Sequence, residues 1–290
     1  MKVLVTGAGG MVGRAVSEHC RSSGDLVFSY DHQSLDVSDP DSVTETLQHD
    51  RPDVVINCAA WTDVDGCELN RERAFEVNAA GPENLARASG EVNAALITIS
   101  TDYVFDGRKD GFYTQRDQPN AESIYGLSKL EGERRAQLAH ARTIVVRTGF
   151  VFGTGGTNFL STIIERGRRG EKLSAIRDAY GTPSYAPDLA GRLRELAQLD
   201  LPGTFHTVNA GAGVSYEEFA RAALDLSGQL ATNLESIEMD SLQRPAPRPR
   251  NSRLKCLLSE ALGLTPLPNW QDALSRFAAL EPRSEVATKS

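Results

Sequence analysis

Tyr125 and Lys129 stand four residues apart in "SIYGLSKLEGE" (123–133), at the start of a segment with helical spacing. Four residues is about one turn, so the phenol and the ammonium share a helix face. The chemistry this pair offers is proton donation to an oxygen. A carbonyl that accepts hydride needs a proton from a donor suited to the working pH, and a free phenol, near ~10, is a weak acid. A lysine within a few ångströms favours the phenolate and is expected to lower that value. Upstream, "ALITISTDYVFDG" closes an apolar run with Ser100, Thr101 and Asp102. A hydroxyl at a strand's carboxyl end can hydrogen-bond a substrate carbonyl and polarise it. YxxxK alone is common on helix surfaces. Joined to a strand-end Ser/Thr and to the glycine turn described next, it reads as a catalytic set.

"VLVTGAGGMVG" places Gly7, Gly10 and Gly13 between a strand and a helix. Gly7 permits a sharp turn, Gly10 lets backbone N–H groups approach a pyrophosphate, and Gly13 allows close helix–sheet packing. The spacing is GxxGxxG, and Gly9 also fits the second position of GxGxxG. A bound dinucleotide is the expectation, with Lys129 able to reach its ribose. Asp31, at the end of the second apolar run, is placed to accept from an adenosine ribose hydroxyl, which favours NADH because a carboxylate repels a 2′-phosphate. His32 beside it can donate to such a phosphate, and Asp31 can equally be a turn aspartate. NADH and NADPH both stay open on these residues.

The elements that must hold these groups follow from the pattern. Short, mostly continuous, β-branched runs recur at 2–7, 26–30, 53–60, 94–100 and 143–148. Such runs are typical of strands covered on both faces. Helical segments separate them. Asp39-Pro40 reads as an N-cap followed by proline at the first helical position, and Gly81-Pro82 is expected to break or kink the long segment 67–90. The fold class is α/β, a Rossmann-type doubly wound parallel sheet with a smaller C-terminal substrate-binding lobe. The dinucleotide-binding domain is expected at 1–149, completed by about 173–208. The lobe is expected at 150–172 and 209–280, and a disordered tail at 281–290. Ser215 and Glu218 form a capping box, and "QRPAPRPRNSRL" (243–254) is an extended basic loop in which Arg253 could hold a substrate diphosphate.

The 290 residues carry a formal net charge of −8, which speaks against a nucleic-acid or anionic-membrane surface. Cys20, Cys58, Cys67 and Cys256 lack CxxC spacing and the five histidines lack HxxxH, so no metal site is assigned. A reduced, cytoplasmic protein without a signal peptide is the expectation.

Taken together, the glycine turn, "STDYVFDG" and "YGLSK" resemble the extended short-chain dehydrogenase/reductases, and within them the dTDP-4-dehydrorhamnose reductase family. "RPDVVINCAAWTDVDGCE", "AFEVNAAGPENLA", "RTGFVFG" and "RPRNSRL" extend the resemblance over nearly the whole chain. The resemblance implies reduction of the 4-keto group of a dTDP-linked 6-deoxy sugar by NAD(P)H. It implies Thr101, Tyr125 and Lys129 as catalytic residues. Cofactor contacts are implied for Gly7, Gly10, Met11, Val12, Asp36, Val37, Ala59, Ala60 and Lys129. Asp102 and Phe150 join Thr101 and Arg253 on the substrate side, Phe150 standing where the family commonly has tryptophan. Some members dimerise through acidic residues and a metal, so a homodimer and a Mg²⁺ ion belong to what the resemblance raises. Dehydratases of the wider superfamily carry a Glu after the strand-end Asp, where this chain has Tyr103. Epimerases use the same Tyr–Lys pair, and the regulatory β subunit of methionine adenosyltransferase shares the same tracts without turnover. Both stay open as alternatives.

Overall fold

All five apolar runs become parallel strands. They are β1 (Lys2–Thr6), β2 (Leu26–Tyr30), β3 (Val54–Asn57), β4 (Ala95–Thr101) and β5 (Thr143–Thr148), joined at one edge by β6 (Gly203–His206). The order is β6-β5-β4-β3-β1-β2, parallel throughout. The inner strands are covered on both faces, as their continuous apolar runs require, whereas β2 lies at the open edge and stays partly exposed. The chain is a computed structural model describing residues 1–229 and 231–280, so the tail expected at 281–290 lies outside the described residues.

Side chains alternate between two cores. Val3, Val5, Val54, Ile56, Ile144 and Val146 face one side, covered by α1 (Met11–Ser22) and a helix at Ala186–Leu199. Leu4, Val55 and Leu96 face the other, covered by α2 (Pro40–Asp50), α3 (Gly81–Glu91) and α4 (Ile124–Ala139). β1 pairs with β2 on one side and β3 on the other, so the chain reverses direction across the sheet there. A crevice opens beyond the strands' carboxyl ends. The register pairs Thr101 with Thr148, which brings the ends of β4 and β5 out together.

Asp39 caps α2 by accepting from the N–H groups of Asp41 and Ser42, with Pro40 in the first turn. The segment around Gly81-Pro82 departs from expectation. The distortion lies one turn earlier, in a π-helical stretch at Glu76–Ala80, and Gly81-Pro82 opens α3 instead of ending a helix. Pro82 has no N–H to offer the carbonyl four residues back, and widening the preceding turn accommodates that loss.

Beyond β5, a second core gathers Phe152, Leu160, Tyr185, Phe219, Trp270 and Phe277. Short strand pairs, such as Leu173–Ile176 with Leu234–Ile237, frame it. The Ser215–Glu218 capping box starts the helix Tyr216–Leu226. The 243–254 stretch holds no α-helix and docks by single bridges from Asn251 to Tyr180 and from Leu254 to Tyr113. Among the described residues no helix is long and apolar enough to cross a membrane.

Candidate active site

The segments that follow β1, β3, β4 and β5 converge on one cavity of about 600 Å³. Its floor is the glycine turn. Gly7 adopts φ +63°, and a Cβ there would lie 2.7 Å from the Ala59 nitrogen, so only glycine fits. A Cβ on Gly13 would overlap the Gly7 carbonyl. The N-cap of α1 is Gly10, with no side chain capping the helix and no acidic residue in its first turn. The free N–H groups of that turn form an anion-binding cradle, and this geometry fits a dinucleotide's phosphates. Gly10, Met11, Val12, Ala59 and Ala60 all line the cavity.

The residues expected to form the proton-donor set enter from β4 and α4. Ser123 caps α4 by accepting from the Gly126 N–H at 3.1 Å, which fixes the first turn and presents Tyr125 to the cavity. The Tyr125 ring lies edge-on to Tyr103, centroids 5.7 Å apart. Thr101 donates to Asp102 Oδ1 at 3.0 Å and accepts from the Tyr103 N–H at 3.2 Å. Thr101, Asp102, Tyr125 and Lys129 are all nine-tenths or more buried, and all line the same cavity.

One electrostatic expectation is corrected. Lys129 Nζ donates to the Ile99 carbonyl at 2.6 Å, and the Tyr125 phenol is raised, where a lowering was expected. Burial dominates and raises the phenol, Thr101 offsets part of that, and Asp102 adds to it. The reason is that removing the phenol from water penalises its charged form. The phenol is consequently fully protonated at neutral pH. Burial also lowers Lys129, to about 8, with Glu133 opposing the fall. Glu133 itself accepts from Ser100 at 2.5 Å and pairs with Arg147 at 2.9 and 2.7 Å, all within the protein interior. Ser100 lines the cavity, but its hydroxyl donates to Glu133, whereas the Thr101 hydroxyl donates to its neighbour Asp102.

Asp102 is pushed up to about 6 by burial, against hydrogen bonds from Ser252 and Thr101, and its Oδ2 lacks a hydrogen-bond partner. The native state thus holds more protons than the unfolded chain between about pH 4 and pH 6, and stability falls as pH rises through that window. Asp102→Asn should raise unfolding stability at pH 7.5 by about 3 kcal/mol and gain little at pH 4. Urea denaturation at the two pH values checks this; an equal effect at both would refute it.

Other expected contacts lie outside the cavity lining. Asp31 accepts from the N–H groups of Gln33 and Ser34 and from the Ser34 hydroxyl, a turn aspartate set 3.3 Å from where a Gly9 Cβ would be. Asp36 is held in the same way by Ser38, and Val37 is buried against Gly81. Arg253 is displaced most clearly. Its guanidinium lies over the Phe112 and Tyr180 rings and its Nε donates to Asn251 Oδ1 at 2.8 Å, so it lines neither the cavity nor the basic basin beside it. Phe150 does line the cavity. It adopts φ 45° and stacks on Tyr216 at 4.2 Å.

Residues 1–281 match the family described as RmlD substrate binding domain. The chain belongs to that family. A dTDP-4-dehydrorhamnose reductase of Mycolicibacterium smegmatis is 38% identical over 96% of this chain and 85% of its own. The crystal structure of a dTDP-4-dehydrorhamnose reductase from Bacillus anthracis, in complex with NADP, superposes with a TM-score of 0.92 at 33% identity, covering 95% of this chain and 98% of that one. A dTDP-4-dehydrorhamnose reductase from Clostridium acetobutylicum gives 0.93 at 35%, covering 97% and 99%. The Rossmann-type α/β class is therefore established for this family member.

Sequence reasoning missed several lining residues. Tyr216 and Phe159 reach the cavity from the C-terminal lobe, and Asn158 donates to the Gly153 carbonyl beside Met11. Tyr216 lies next to the Ser215 cap, and that cap was the only signal near it. Trp61 packs under Arg73 at 4.7 Å, while Thr62 next to it lines the wall. The four cysteines are free, and among the described residues no His, Cys, Asp and Glu cluster could hold a metal ion.

Proposed function

We propose that this chain reduces the 4-keto group of a dTDP-linked 6-deoxy sugar, converting dTDP-4-dehydrorhamnose to dTDP-L-rhamnose with NADPH. The observation that carries this reading is the convergence of Thr101, Tyr125 and Lys129 on the wall of a cavity whose floor is the uncapped, glycine-lined start of α1. The relatives' names and the bound NADP of one of them support the substrate and the reductant.

Gly10, Met11 and Val12 would hold the dinucleotide's phosphates through backbone N–H groups, and Lys129 would hold its ribose. When bound, the reduced nicotinamide supplies the hydride. Thr101 orients the substrate carbonyl through its hydroxyl. Tyr125 gives its proton to the oxygen as negative charge develops there. A secondary alkoxide is a stronger base than a phenolate, so the transfer runs downhill even from a phenol raised by burial. Lys129, still protonated at neutral pH, stabilises the phenolate left behind. The chain has Tyr103 after Asp102 and no second strand-end acid, which disfavours elimination.

The test follows nicotinamide absorbance with dTDP-4-dehydrorhamnose and a panel of other nucleotide-linked 4-keto sugars, using NADPH and NADH in parallel. Oxidation of NADPH with formation of dTDP-L-rhamnose is expected. Binding of the dinucleotide with no oxidation on any sugar would favour a regulatory role instead.

A further inference from the structure

Ile124 opens α4, and its N–H is received by a carboxylate from another element. Glu68 Oε2 accepts it at 2.9 Å, from 56 residues earlier in the chain. The first turn of α4 contains no acidic residue of its own. Ser123 takes the Gly126 N–H at 3.1 Å, so Glu68 and Ser123 between them satisfy two of the donors that a helix start leaves free. Tyr125 stands between those two amides.

Glu68 is itself firmly placed. It belongs to the six-residue helix Val64–Leu69, which is anchored along its length. Asp63 caps that helix by accepting from the Gly66 N–H at 2.9 Å. Asp65 accepts from Arg248 at 2.8 and 2.7 Å and from the Ala246 N–H at 3.1 Å, which ties the helix to the 243–254 loop. Cys67 is fully buried and shares one apolar cluster with Ala74 and Tyr125, against which Val64 and Ile124 pack. The helix therefore meets Tyr125 twice, through Cys67 in that cluster and through Glu68 at the backbone of the preceding residue. Glu68 is half-buried and does not belong to the cavity wall, so it has no place from which to touch a substrate.

An acid at a helix start is commonly no more than a partner for the helix dipole. Glu68 differs in what its bond fixes. The Tyr125 proton has to reach an oxygen held by Thr101, and a misplacement of about 1 Å at a reacting centre can cost ~10²-fold in rate. We propose that Glu68 is a positioning residue for Tyr125: by holding the Ile124 N–H, its carboxylate sets the first turn of α4 and with it the place of the phenol in the cavity. The inference rests on the reading of Tyr125 as the proton donor given above. The bond is charge-assisted, and an amide oxygen in the same place can accept the same N–H, so glutamine should substitute where alanine cannot.

The experiment compares the native chain with Glu68→Ala and Glu68→Gln. It follows NADPH oxidation with dTDP-4-dehydrorhamnose in H₂O and D₂O, NADP⁺ affinity, and amide hydrogen exchange at Ile124. Glu68→Ala should lower kcat about 10- to 30-fold and raise the solvent isotope effect on kcat, because a poorly placed donor makes proton transfer limiting. Sugar KM and NADP⁺ affinity should stay within about twofold. Glu68→Gln should return kcat to within about threefold of native, and exchange at Ile124 should quicken in Glu68→Ala alone. A less stable Glu68→Ala with kcat and isotope effect unchanged overturns the positioning role and leaves Glu68 a helix cap. An equal loss of kcat in both variants overturns it as well, since the charge and not the bond would then matter. If the native chain reduces no 4-keto sugar, the proposed reaction falls, and Ile124 exchange still decides whether Glu68 holds the turn: faster exchange in Glu68→Ala alone supports that hold, and unchanged exchange overturns it.

Discussion

Tyr125→Phe should lower kcat by about 10³-fold while leaving NADPH affinity within about twofold. The phenyl ring fills the same volume, and its edge contact with Tyr103 uses ring atoms that both residues possess. What disappears is the one proton carried by a buried phenol beside Thr101. Without it the alkoxide must be quenched by water, and the buried wall around Tyr125 gives water little access. KM for the sugar should change far less than kcat, because the proton moves only as charge develops. Steady-state rates together with dinucleotide titration check this. A variant that kept full turnover would remove Tyr125 from the mechanism.

Glu133→Leu should destabilise the fold by about 3–5 kcal/mol, because it strands the Arg147 guanidinium in the interior. Glu133 receives Ser100 from β4 and Arg147 from β5, and so ties α4 to both strands next to Thr101 and one turn from Lys129. The double variant Glu133→Leu with Arg147→Met removes both charges and should recover more than half of the loss. Denaturant unfolding of the two single variants and the double variant makes the comparison. A double variant as unstable as the sum of the singles would mean that the pair does not act as a unit. Glu133 also helps keep Lys129 charged. In Glu133→Leu the high-pH limb of the rate profile should therefore move to lower pH.

The central sheet was legible from composition along the chain. Continuous β-branched runs have to be covered on both faces, and that requirement separates the inner strands from surface strands. The same holds for Gly7 and Gly13, where contact with backbone leaves room for no side chain, and for Asp39 and Ser215, whose caps depend on neighbours two or three residues away. The Tyr125–Lys129 pair was legible because a helix repeats about every four residues. In each of these cases the deciding pattern is local, so it is written in consecutive residues.

What the tertiary structure decided involves charges and partners distant in sequence. Lys129 donates to the Ile99 carbonyl, thirty residues away, and burial is the largest influence on the Tyr125 phenol. Arg253 looked like the anion-binding residue of its loop, yet the rings of Phe112 and Tyr180 hold it. Arg248 and Arg250 are paired because Asp65, Asp178 and Asp240 come to rest beside them. Side-chain charge is visible in a sequence, but whether that charge is already neutralised depends on which carboxylates folding brings within a few ångströms.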